Sequence, residues 1–306
     1  MKRLFISILL VIFAFGLSAQ KKRKSRINWD DYRHELVFGF GGSHYLGELG
    51  GNDGAAAKFS PKDAEFSQTK YAFSLAYRYN FGKYLSVSPR LYYGKIAGSD
   101  KLTNHPERNN RNLSFNTQLI EFAIMAEGHL LRANYGQGYY RKGVIGKPGQ
   151  KFGVSAHLGI GFFYFNPKYG SVKLRPLNTE GQGLPGGSKQ YSRLAVCIPL
   201  GIKLGYQITK QFKVGIDLTY RYAFTDYLDD VSGNYYNKEA LRKENGDLSA
   251  ELSDRSDGSN PSWTSEGSPR GNPKSRDGYF TTEITLTYAP RLHFSSVKKR
   301  RKRARF

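Results

Sequence analysis

The sequence predicts an all-β chain, an eight-stranded antiparallel up-and-down transmembrane β-barrel with long outer loops. Three observations predict it. Apolar residues recur at every second position in eight segments, the period of a strand with two different faces. The chain holds 22 Tyr, 20 Phe and 34 Gly among 306 residues, yet mean hydropathy is −0.56. Such a balance suits strands that present apolar side chains to lipid only at alternate positions. Connections between the segments alternate between short and long, as barrels with tight periplasmic turns and large external loops require.

Taken in order, the chain opens with Met1-Lys2-Arg3, an apolar run from Leu4 to Leu17 broken by Ser7, and Ser18-Ala19-Gln20. This reads as a secretory signal peptide, residues 1–19, cleaved after Ala19. The run is shorter than the roughly 20 residues of a spanning helix. Residues 20–33 form a basic segment, and 34–290 carry the barrel pattern. Glu35 to Leu46 is a glycine-rich first strand. Tyr71, Phe73, Leu75, Tyr77 and Tyr79 define the second, and Leu85, Val87, Pro89, Leu91 and Tyr93 the third. Ile120, Phe122, Ile124 and Ala126 mark the fourth; Val154 through Tyr164, at alternate positions, mark the fifth. The sixth has the clearest pattern: Leu194, Val196, Ile198, Leu200, Ile202, Leu204 and Tyr206 alternate with small or polar residues. Phe212 to Tyr220 is the seventh strand and Phe280 to Tyr288 the eighth. Pro89 and Pro199 each remove a ladder hydrogen bond, so a bulge is expected at each.

Tight turns are predicted at 81–83 and 209–211, with a longer connection at about 130–150. Long connections cover 47–69, 97–112, 167–191 and about 226–278. An even strand count puts both termini on the periplasmic side and the long loops outside. The 226–278 loop is rich in Ser, Gly, Asn, Asp and Glu and is expected to be mobile.

If the apolar set faces lipid, the other set fills the lumen. Arg78, Arg90, Lys203 and Arg221 then share the interior with Glu121, Glu127, Asp217 and Glu283. An eight-stranded barrel is just wide enough for side chains to fill it. Buried charge is costly unless paired, so a structural plug of ion pairs is expected in place of an open pore.

Signs of catalysis are thin. No two of the six histidines have metal-ligand spacing, and Cys197, the one cysteine, excludes an internal disulfide. A lone cysteine within a strand reads as a small buried apolar residue. Ser43-His44 are neighbours and point to opposite strand faces, poor placement for nucleophile and base. Gly39-Phe40-Gly41-Gly42 precedes no helix, so it is no phosphate loop. Asp226, Asp229 and Asp230 suit a calcium ion or, more simply, turn capping. No enzyme activity, cofactor or metal is expected.

Two segments carry a family resemblance. The first strand runs into His44-Tyr45-Leu46-Gly47-Glu48-Leu49. The seventh runs into Thr225-Asp226-Tyr227-Leu228-Asp229-Asp230-Val231-Ser232-Gly233. On a signal-bearing barrel this pair resembles the PorG-like outer-membrane proteins of the Bacteroidota. Glu48 stands where that family has Asp. The resemblance implies a part in type IX protein secretion, including gliding motility. In that system such barrels attach a periplasmic ring of PorK-like lipoprotein and PorN-like protein (GldK and GldN) to the outer membrane.

Much of the net charge of +22 sits in two runs, Lys21 to Arg26 and the tail Lys298-Lys299-Arg300-Arg301-Lys302-Arg303-Ala304-Arg305. Such runs are solvated, and export makes nucleic acid an improbable partner. The tail, within residues 291–306, is expected to hang into the periplasm, either solvated against inner-leaflet head groups and the cell wall or docked on an acidic face of the ring. Two rival readings stand beside secretion. One is a surface adhesin or ligand-binding module working through its outer loops. The other is a small-solute channel, against which the strand number argues.

Overall fold

The computed structural model describes residues 33–49, 66–103, 105–134 and 149–290. Within them eight long strands form one closed barrel: His34–Leu46, Lys70–Asn80, Leu85–Ser99, Ser114–Leu131, Phe152–Tyr169, Leu194–Gln207, Phe212–Ala223 and Gly278–Tyr288. Each pairs antiparallel with its sequence neighbours. The last closes on the first, with Leu36 opposite Tyr288 and Leu46 opposite Gly278. A two-residue strand, Val172–Lys173, folds back on the end of the fifth. Gly41 sits at the closing seam, where a Cβ would collide with the backbone of Thr282 on the last strand. Glycine there admits a close approach of the two strands.

Several strands outrun the apolar pattern that announced them. The fourth has 18 residues, and its inward positions alternate buried with outward ones through most of its length. Its outward residues near the long-loop end are Asn116 and Gln118, so the apolar signal stops there although the strand continues. The strand projects beyond the lipid, where outward polar side chains cost nothing.

The prolines behave differently from the expected bulges. Pro89 stays in register opposite Ile124, and Pro199 opposite Arg221. On its other side each leaves a short gap in the ladder without a shift: Ala76 pairs Arg90 and Tyr79 pairs Val87, while Leu158 pairs Leu200 and Gly161 pairs Cys197. A proline lacks only its own N–H, and a barrel that supplies two neighbours per strand tolerates one interrupted side. The register shift lies instead between His129 and Leu131 in the fourth strand.

The outside is a belt of exposed apolar side chains, among them Phe40, Leu91, Ile124, Ile160, Phe162 and Ile284, each more than half exposed. So large a continuous apolar surface marks contact with lipid. Tyr71, Tyr93, Tyr164 and Phe224 rim the belt at the long-loop end; Tyr77, Tyr84, Phe152 and Phe212 rim it at the other. Two aromatic girdles of this kind sit at the two membrane interfaces. Among the described residues no helix is long and apolar enough to cross a membrane; the strands span it.

The fourth outer loop departs from the mobility its composition suggested. It contains helices Lys238–Asn245 and Asp247–Ser253, with Leu241 and Leu252 buried. Arg270, 3 % exposed, ties it inward by donating to Ser253 O and Asp230 O. A polar surface composition hid a loop anchored by a few buried side chains.

Candidate functional site

Every charged residue assigned to the lumen by alternation is buried there: Arg78, Arg90, Glu121, Glu127, Lys203, Asp217, Arg221 and Glu283. The structure adds Glu35 and Lys213. Arg78 bridges Glu35 at 3.1 Å and Glu127 at 2.9 Å, and Lys213 holds Glu35 at 2.5 Å. Asp217 lies 2.8 Å from Arg90 and 3.1 Å from Lys203. Nearer the long loops, Arg221 bridges Glu121 at 2.7 Å, and Tyr279 donates to the same carboxylate at 2.6 Å. Glu283 accepts from Ser74 at 2.8 Å. His157 Nε2 sits 3.0 Å from Thr219 Oγ1, within this packed network.

Above the network the lumen is filled by rings. The Arg221 guanidinium lies 4.3 Å from the centroid of Tyr92 and 5.2 Å from that of Tyr279. Phe163, Phe165 and Leu228 are fully buried around and above them. Cys197 is buried on the same face, 3.7 Å from Glu121.

At the long-loop end the two family-like segments meet. Tyr45, at the top of the first strand, donates its hydroxyl into a pair of carboxyls, Asp229 Oδ2 at 2.7 Å and Asp277 Oδ1 at 2.6 Å. A phenol has one hydrogen. Satisfying both contacts therefore requires one of the two carboxyls to carry a proton. Gly47 lies against this point, where a Cβ would strike the Tyr45 hydroxyl and Asp277. Asp229 also accepts from Val231 N at 2.9 Å, and Asp277 from Leu228 N at 2.9 Å. Asp230 accepts from Thr179 at 2.6 Å and Tyr191 at 2.5 Å, and Tyr191 stacks on Tyr227 at 4.4 Å. Glu48 accepts from Asn272 N at 2.7 Å. Glu180, unremarked in the sequence, accepts from Ser232 N at 2.9 Å and Gly233 N at 3.1 Å and bridges Arg270 at 2.9 Å.

Burial raises these acids above the usual carboxylate range. It pushes Asp226 and Asp229 up to about 8 and Asp230 to about 6, and raises Glu48. Asp277 is raised well above it, by burial and then by the charges of Asp229 and Asp226. Bases are scarce in this layer: Arg111 is bound to Asp100 at 2.8 Å, and Arg270 serves Glu180 and Asp230. Among the described residues no group of His, Cys, Asp or Glu is arranged to hold a metal ion. Asp229 and Asp230 organise the loop through backbone and hydroxyl donors, as in turn capping, whereas both carboxylate oxygens of Asp226 are buried without a hydrogen-bond partner. A hollow of about 10 Å³ beside Asp229, Arg255 and Arg270 has room for about one water.

Ser43 and His44 are both buried but serve different partners. Ser43 donates to Lys95 O, while His44 Nδ1 lies 3.4 Å from Thr69 Oγ1. The basic runs at Lys21 to Arg26 and at Lys298, Lys299, Arg300, Arg301, Lys302, Arg303 and Arg305, like the signal segment, lie outside the described residues.

A family model described as a domain of unknown function, DUF6089, matches residues 2–251. No curated protein matches the chain. Among solved structures the chain is similar to Neisserial surface protein A, at 6% identity and a TM-score of 0.39, covering 84% of this chain and 97% of that one. It is also similar to Ail, the attachment invasion locus protein of Yersinia pestis, solved with the heparin analogue sucrose octasulfate. There the identity is 11% and the TM-score 0.34, covering 83% of this chain and 96% of that one.

Proposed function

The chain belongs to the DUF6089 family, and from that premise we propose that it is an outer-membrane component of the type IX protein secretion system. In this reading it is non-enzymatic, both termini are periplasmic, and it anchors a ring of PorK-like lipoprotein and PorN-like protein to the outer membrane. The observation that carries the reading is the meeting of the two PorG-like segments. Tyr45 at the end of the first strand and Gly47 just beyond it pack on Asp229 and Asp277, in the loop that Tyr227, Asp230 and Gly233 shape and that also holds Asp226. The resemblance thus falls on residues that build one piece of structure. The packed lumen fits as well, because rings and ion pairs occupy the space a solute would cross. Work done by such a barrel is done at its ends.

The test is recovery of ring proteins with the tagged barrel from detergent-solubilised outer membranes, combined with labelling of an epitope inserted beside Ser259. Ring proteins should co-purify, and the epitope should be reached by antibody on intact cells. Recovery of the barrel alone, from cells that assemble the ring, overturns the secretion role.

A second reading, an adhesin or ligand-binding module, is favoured by the ordered fourth loop. Its helix and turn leave Leu248 and Trp263 exposed above the membrane. Loss of binding to host cells or matrix on deletion of 238–263, with ring recovery absent in both forms, would select it.

A further inference from the structure

The outer wall of the barrel carries charge of one sign. The eight strands hold five acids, Glu35, Glu121, Glu127, Asp217 and Glu283, and each is buried in the lumen. Cations do face outward, and three of them gather around the long-loop end of the fifth strand. Lys168 alternates with Phe162 and Tyr164 and so points outward. Val172–Lys173 folds back there and sets Lys173 directly opposite Lys168. Arg193 enters beside them, its carbonyl accepting from Phe165 N at 3.0 Å, and its guanidinium lies 5.5 Å from the centroid of Tyr164.

Like charges directly opposite one another on paired strands are destabilising, so the Lys168–Lys173 pair calls for an anion. Among the described residues none of the three cations pairs with a carboxylate. Nearby loop acids are engaged elsewhere: Asp254 with Lys238, Glu239 and Asp247 with Arg242, and Glu180 with Arg270. All three cations reach solvent. An arginine held against a ring still has N–H groups to offer, in a fork that matches phosphate. The apolar belt begins directly below them: Leu194, next to Arg193, is 68 % exposed, and Phe162 is 62 % exposed. Lys168 stands four residues beyond Tyr164, about 13 Å along the strand, and the long stems of the lysines can lean back over part of that distance toward the interface. One continuous surface thus offers an apolar wall and, above it, a cationic rim.

We propose that this surface is a docking site for a phosphate-bearing lipid of the leaflet beside the long loops. Its acyl chains lie on Phe162 and Leu194, and its headgroup phosphate is held by Lys168, Lys173 and Arg193. That this leaflet is the outer one rests on the orientation given for the secretion role; the site itself does not. Each cation beside an anionic headgroup adds attraction, and salt screens it.

The probe is monophosphoryl lipid A with a photoactivatable acyl chain, added to the full-length barrel in detergent and compared with the same lipid stripped of its phosphate. Crosslinks are expected within 160–164 and 194–198, and should be lost with the dephosphorylated form. The triple variant Lys168→Gln/Lys173→Gln/Arg193→Gln should bind the lipid at least about tenfold more weakly. Lys83→Gln/Lys151→Gln/Lys210→Gln removes equal charge at the short-turn end and should leave these crosslinks unchanged. Lys173→Glu should weaken binding while the folded band on unheated gels persists at least as well as in the parent, because opposite charges across paired strands are favourable. The same band qualifies the other variants. Equal crosslinking by the dephosphorylated lipid, crosslinks only outside these segments, equal losses in the two triple variants, or inorganic phosphate bound as tightly as the lipid overturns the proposal. An epitope beside Ser259 that antibody cannot reach on intact cells refutes the orientation and leaves the lipid site standing.

Discussion

The membrane-level lumen and the cap beneath the outer loops both bury acids, but they neutralise them differently. In the lumen Glu35, Glu121, Glu127 and Asp217 each face an Arg or Lys within about 3 Å. In the cap Asp229 and Asp277 face one another across the Tyr45 hydroxyl, and the nearby arginines are engaged elsewhere. The lumen uses fixed counter-charge, the cap uses protons. Within one molecule, then, the cap should respond to pH near neutrality.

The largest effect should come from breaking a lumen pair. Arg78→Leu leaves Glu35 with Lys213 and Glu127 with a more distant Lys203, and removal of one partner of a buried pair costs about 3–5 kcal/mol. The urea midpoint of the folded barrel should fall accordingly; an unchanged midpoint would mean that the pairs are not what stabilises the lumen.

A smaller effect, confined to the cap, should follow pH. The folded pKa values of Asp226, Asp229 and Asp230 are raised above the unfolded value, so the folded cap binds more protons than the opened one. Its stability is full below about 4 and is lost as pH rises through about 6 and 8. Each carboxyl still protonated contributes a slope of about 1.4 kcal/mol per pH unit in that window. Hydrogen exchange at Leu228 and Val231, corrected for intrinsic rates, reads it. Asp229→Asn keeps an acceptor for Tyr45 and should flatten the profile. A profile equally steep in the variant would place the titration elsewhere.

The smallest effect is expected at the exposed pair Arg242–Glu239 on the loop helix. Exposed pairs of this kind contribute little, so Arg242→Ala should leave thermal unfolding unchanged. A clear loss would show the loop helix to be more tightly coupled to the cap than its exposure suggests.

Alternation made the barrel legible, because a period of two assigns each residue to a face. That is why Arg78, Asp217 and Glu283 were placed in the lumen without a structure. Glu35 and Lys213 share parity with Val37 and Asp217, and that parity could have found them; the weak pattern of the glycine-rich first strand obscured one of them. The cap was not legible. Tyr45 and Asp229 are 184 residues apart, and the path of a long loop leaves no period in the sequence. Asp277, just before the last strand, carried no motif at all. The loop helices, of 8 and 7 residues, are too short and too polar to stand out from a solvated linker.

The seam between the first and last strands sets a condition on assembly. Leu36 must find Tyr288 across nearly the whole described chain, and Gly278–Tyr288 is the last strand to be synthesised. Until it docks, the first and seventh strands both present bare edges of unpaired N–H and C=O groups, a template for pairing with other chains. Contacts of such high sequence separation form late and slowly. The chain must therefore be kept from premature pairing between synthesis and insertion, and any truncation that removes Gly278–Tyr288 creates two sticky edges at once.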